Sequence, residues 1–121
     1  MNDELFTTYQ LFILLQKDLN LKIGSLGECY LPAGIYVYTG SAKKNLEQRI
    51  KRHFKKEKKI RWHIDYLTSH PGVKIIEVKR FSEPECQINQ KTPGEILIPG
   101  FGASDCKAHC GAHLKYVKHS K

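Results

Sequence analysis

Tyr38-Thr39-Gly40-Ser41-Ala42 ends one element and opens another. The run before it, Ile35 to Thr39, is β-branched and aromatic, the composition of a strand. Gly40-Ser41 then lets the backbone turn, and Ser41 offers a capping oxygen to the helix that follows. That helix is predicted over about Lys43 to Lys56. Leu46, Ile50 and Phe54 recur every four residues and should face the core. Asn45, Arg49 and His53 form the neighbouring stripe at its edge, and the remaining lysines and Arg52 are left to water.

The rest of the chain is read outward from this strand and helix. Tyr9 to Leu15 is apolar on both faces, which suits a central strand covered on two sides. Leu21–Ile23 and Glu28–Leu31 flank Gly24-Ser25-Leu26-Gly27, a hairpin turn, and Pro32-Ala33-Gly34 separates that hairpin from the next strand. Downstream, a shorter helix, Ile60 to Thr68, carries Trp62, Ile64, Tyr66 and Leu67. Val73 to Val78 is a third long strand, Pro84 to Lys91 a helix stopped by Pro93, and Leu114 to Val117 a returning strand. The expected fold is α+β. It has a small, mainly antiparallel three-stranded central sheet with a hairpin insertion, flanked by helices, in one domain spanning 1–121.

Size and charge narrow the function. The chain has 121 residues, 40% hydrophobic, enough for one buried core. Its formal net charge is +8, and Lys43 to Arg61 holds ten Lys or Arg against Glu47 and Glu57. Such a run is an electrostatic footprint for a polyanion, with Lys43, Lys44, Arg52, Lys55, Lys56, Lys58 and Lys59 as contacts to nucleic acid. Its plain alternative is a solvated helix and loop. No stretch reaches the apolar length of a membrane span. The acidic start, Met1-Asn2-Asp3-Glu4, lacks the basic flank of a secretory signal, so the expected address is the cytoplasm. There the four cysteines are thiols or metal ligands. Cys106, His109, Cys110 and His113 would share one helix face, as in half of a structural zinc site. Gly111 argues against a regular helix there, and Cys86 or Cys29 would have to complete the ligand set. A packed thiol cluster with loop-bracing histidines is the competing reading.

Tyr38-Thr39-Gly40, with Arg49 and His53 downstream, resembles the GIY-YIG nuclease family, with Thr39 in place of the usual apolar residue. The likeness is greatest to a small stand-alone branch of that family. Its marks here are Tyr38-Thr39-Gly40-Ser41-Ala42, Trp62-His63-Ile64-Asp65-Tyr66-Leu67 and Gly100-Phe101-Gly102-Ala103-Ser104-Asp105-Cys106, in that order. Gly34-Ile35-Tyr36 spells the family's first signature but shares a strand, and hence a sheet face, with Tyr38. The family's two signatures lie on neighbouring strands. The counterpart of the first is therefore Thr7-Thr8-Tyr9, without its glycine, and Tyr36 is the fallback.

The resemblance implies a metal-dependent endonuclease that hydrolyses DNA phosphodiester bonds, in the service of repair or recombination. Arg49 would grip the phosphoryl group with its planar fork; otherwise it pairs with Glu47 or Glu85 at the surface. His53 would relay a proton or bind phosphate, or else lie idle. Tyr9 and Tyr38 would position the attacking water, although a phenol with a pKa of about 10 is a poor base unaided; otherwise they are core tyrosines. Glu85, with Glu83 as its rival, would hold a single Mg or Mn ion through oxygen. The family's final asparagine has no evident counterpart. Trp62 and Leu67 read as core, and Asp65 as the partner of a basic residue. Two other functions remain in view: a non-catalytic nucleic-acid-binding module and a zinc-stabilised interaction protein. If the basic run binds nucleic acid, the dissociation constant measured by fluorescence anisotropy should rise steeply between 50 and 200 mM salt, by about tenfold or more. A salt-independent affinity would contradict the polyanion reading.

Overall fold

In this computed structural model, residues 6–42, 44–102 and 112–118 are described. Along β1 (Thr8–Leu15) the side chains of Tyr9, Leu11, Ile13 and Leu15 fall on one face, and along β4 (Gly34–Ser41) those of Tyr36 and Tyr38 do the same. The two strands pair antiparallel with Tyr9 opposite Gly40, Leu11 opposite Tyr38 and Ile13 opposite Tyr36. Register thus puts both aromatic-aliphatic sets into one core.

The second edge of β1 is taken by β5 (Val73–Phe81), and the second edge of β4 by β6 (Leu114–Lys118). The sheet order is β5-β1-β4-β6, every pair antiparallel. The α+β class is as expected, but the central sheet has four strands rather than three, because the return strand at Leu114 docks on β4. The central place of β1 explains its apolar residues on both faces. Between β1 and β4, the strands β2 (Leu19–Lys22) and β3 (Glu28–Leu31) form a separate two-stranded sheet.

Two helices, α1 (Leu46–Phe54) and α2 (His63–Thr68), join the core on the Tyr9 face, where Leu46, Ile50, Ile64 and Leu67 pack with Leu11, Ile13 and Phe101. On the opposite face, α3 (Glu85–Lys91) sets Ile88 beside Gln10 and Val37. No helix among the described residues is long and apolar enough to cross a membrane.

Helix α1 departs from its expected facing. Phe54 is 52% exposed, whereas His53 is 1% exposed and joins Leu46 and Ile50 inside. The reason is angular. At about 100° per residue, the eighth position from Leu46 has rotated about 80° off the buried direction, and the seventh only about 20°. A histidine therefore occupies the place that four-residue spacing assigned to a phenylalanine. Ser41 does not cap the helix either: the N-cap residue is Asn45, at φ +60°, and makes no side-chain capping bond.

Gly40 has a steric duty. A Cβ there would lie 2.6 Å from the Tyr9 hydroxyl oxygen and 3.1 Å from a Tyr38 ring carbon. The phenol of Tyr9 lies across the glycine it faces. Gly40→Ala should destabilise the protein by about 1–3 kcal/mol, as overpacked cores do. Urea unfolding measures this, and an unchanged midpoint would show that Tyr9 has room to move.

Candidate active site

Tyr9 is held in place by a neighbour that only the tertiary fold supplies. Its hydroxyl and His53 Nε2 are 2.7 Å apart, and both side chains are buried. Tyr38, one rung along the neighbouring strand, brings its ring to 6.4 Å from that of Tyr9 and 6.2 Å from that of His53. Burial sets the protonation of all three. It pushes the Tyr9 phenol up, with the Arg49 charge opposing, and raises Tyr38 well above the ordinary tyrosine range. It lowers His53 to about 4, helped by the cations Lys58, Arg52 and Arg49 and opposed by Asp65. At neutral pH the cluster is uncharged. His53 Nδ1 has no hydrogen-bond partner among the described residues.

Beside this neutral cluster stands Arg49. Its Nη1 donates to the Ser41 carbonyl at 3.0 Å, and its guanidinium lies 4.6 Å from the Trp62 ring centre. Glu47, one of its suggested partners, is instead engaged by Arg80 of β5 at 2.7 Å. Arg52, expected in water, is bound in a fork to Asp65 at 2.9 and 3.0 Å. Asp65 also accepts from the backbone N–H groups of Arg61 and Trp62, which ties the start of α2. Burial alone would raise the Asp65 carboxyl; these donors outweigh it and hold the group below its usual range. Asp65 therefore does pair with a basic residue, and that residue is Arg52.

The third wall comes from α3. Glu85, its first residue, accepts from Ser41 Oγ at 2.7 Å and lies 2.6 Å from His113 Nδ1 through its other oxygen. Burial would raise this carboxyl, but hydrogen bonds from His113 and Ser41 and the Arg49 charge keep it below the usual range. Ser41 thus bridges Arg49 through its carbonyl and Glu85 through its hydroxyl. Asn89, one turn along α3, is buried and donates to the Ala112 carbonyl at 2.8 Å, which fixes the backbone that carries His113.

The fold brings Tyr9, Tyr38, Arg49, His53 and Glu85 to one place. Tyr36, the fallback, lies farther along the same face: its hydroxyl donates to the Pro32 carbonyl at 2.6 Å and its ring packs on Tyr116. Of the expected nucleic-acid contacts, Lys44, Lys55, Lys56 and Lys59 are exposed, and Lys43 lies outside the described residues. Lys56 also donates to the His70 carbonyl, and Lys58 to the carbonyls of Arg52 and His53 at the end of α1. Arg52 and Lys58, half-buried, are struts rather than a solvated face, and Lys56 is an exposed tether. Of the zinc reading, Cys106, His109 and Cys110 lie outside the described residues, while His113 pairs with Glu85. Among the described residues, no three His, Cys, Asp or Glu side chains are grouped to hold a metal.

Sequence reasoning missed three members of the site. Ser41 was assigned to a cap, Trp62 to the core and His113 to the tail cluster. The signal for Ser41 was its place in the Tyr38–Ala42 motif. No local signal separates His113 from the histidine before it.

Residues 8–121 match the family described as Domain of unknown function DUF123. No curated protein and no solved structure matches the chain.

The neutral His53 carries a pH signature. Its folded pKa of about 4 lies below the ordinary 6.5, so the unfolded chain takes up the proton first. The full stability is present above pH 6.5 and falls as pH drops toward 4, by about 3 kcal/mol from this residue. Urea unfolding at pH 4.5 to 7 should show this fall, and His53→Gln should flatten it. An equal slope in both proteins would place the proton uptake elsewhere.

Proposed function

We propose that this chain, which belongs to the DUF123 family, is a metal-dependent endonuclease of the GIY-YIG kind that hydrolyses DNA phosphodiester bonds. One observation carries the reading. A buried tyrosine–histidine hydrogen bond faces an arginine that makes no ion pair among the described residues, with an ionised glutamate two hydrogen bonds away through Ser41. These are the parts that phosphodiester hydrolysis requires.

Each residue has a task that follows from its surroundings. Arg49, always charged, receives two phosphate oxygens on its fork and stabilises the charge that builds on them. Neither phenol ionises at neutral pH, so Tyr9 does not act as a standing base. Instead the attacking water passes a proton to the Tyr9 oxygen as the Tyr9 proton moves to neutral His53 Nε2. The new P–O bond forms to the water oxygen while the P–O bond to the leaving strand breaks; the departing oxygen takes its proton from solvent, and His53 releases the proton it received to solvent. Tyr38 lines the same cleft and orients the water.

The donor set fits one hard cation. Glu85 is ionised and a quarter exposed, and each of its oxygens keeps a lone pair beyond the bond it accepts. Glu85 would hold Mg or Mn with retained waters, and the ion would supply charge stabilisation at the departing oxygen. DNA is the proposed partner, in repair or recombination in the cytoplasm, with the exposed Lys44, Lys55 and Lys59 as backbone contacts.

Cleavage of linear, branched and single-stranded DNA in magnesium or manganese tests the reading. Arg49→Ala should lower kcat by about a hundredfold or more, with a smaller loss of binding. Glu85→Gln and a chelator should each abolish cutting. Salt-sensitive binding without cutting of any substrate would point to a binding module, and cutting that survives both substitutions would refute the assignment.

A further inference from the structure

Trp62 is the chain's sole tryptophan. Besides Arg49, its ring centre has the Arg52 guanidinium at 4.5 Å and that of Arg61 at 6.0 Å, and the His53 ring at 6.2 Å. Core packing does not explain three cations around one half-buried ring. Like charges repel, and they gather here because the negative π face attracts each of them and Asp65 compensates one. That one is Arg52, forked onto Asp65. Arg49 has no ion pair among the described residues, so its charge is left for a ligand, while its position is fixed by the Trp62 ring and the Ser41 carbonyl.

We infer that Trp62 is a positioning residue: it holds the Arg49 guanidinium toward the Tyr9–Glu85 cleft, and the Arg52–Asp65 pair is the strut that holds Trp62. The ring is not a stacking platform for a nucleobase, since guanidinium groups already occupy its surroundings. Asp65 binds Arg52 and the backbone of residue 62 together, so ring and strut move as a unit. The role in catalysis rests on the nuclease reading above; the geometry itself does not.

Two readouts separate these layers. In a chelator, the full-length protein is titrated with a short phosphorothioate oligodeoxynucleotide while Trp62 emission is followed. The emission should change saturably in the wild type and not in Arg49→Gln. Arg49→Gln alone should also shift the resting emission, whereas Lys44→Gln should not. An oligonucleotide-induced change that survives Arg49→Gln, or a resting emission indifferent to that substitution, overturns the inference. If no oligonucleotide binds, the nuclease reading fails and the resting shift still decides the geometry. In the cleavage assay, Trp62→Phe should keep kcat within about threefold, and Trp62→Leu should lower it about tenfold or more with KM little changed, as for a displaced catalytic group. Equal losses in both variants, or a loss confined to KM, would reduce Trp62 to a packing residue. Should Trp62→Leu fail to fold, the Arg49→Gln emission measurement stands alone.

Discussion

The hydrogen bond between Tyr9 and His53 links the central strand to α1, and the cleft is organised around it. Both partners are buried and neutral, so the bond joins two polar groups that would otherwise be stranded away from water. Its demands spread outward. Gly40 must lack a side chain because the Tyr9 ring crosses it, and α1 must turn so that His53 rather than Phe54 faces inward. The rings of Tyr38 and Trp62 then close the space around the imidazole.

Charge is sorted around that neutral centre. The basic run has three uses. Arg52, Lys56 and Lys58 hold the chain together through Asp65 and through carbonyls at the end of α1 and near α2. Lys44, Lys55 and Lys59 remain exposed, where screening keeps each contribution small but additive toward a polyanion. Arg49 has a position fixed by the Ser41 carbonyl and the Trp62 ring and, among the described residues, makes no ion pair. An arginine count by itself cannot make this distinction, because it depends on where Asp65 and Glu47 come to rest.

Much of the fold was legible in the sequence because hydrophobic period and turn residues are local. The two-sided apolar run marked β1 as central, the Gly24–Gly27 turn marked the hairpin, and sheet parity favoured Tyr9 over Tyr36. Tyr9, Tyr38, Arg49 and Glu85 were legible through their resemblance to a known motif. What stayed hidden depends on long-range docking. The place of β6 beside β4 makes the fourth strand and delivers His113 to Glu85, a pairing that its spacing from the cysteines does not signal. The exchange between Phe54 and His53 was hidden for a different reason: four-residue spacing drifts by about 40° per step, and the core accepts whichever residue has drifted least.

The most direct test of this account is the ionisation and tautomer of His53, read from long-range proton–nitrogen correlation of the imidazole rings between pH 5 and 8. The account predicts a ring that stays neutral across this range, with Nε2 accepting from the Tyr9 hydroxyl and the proton on Nδ1. A His53 ring that titrates near 6.5, or that carries its proton on Nε2, would contradict it, because Tyr9 would then have no group to which its proton could pass.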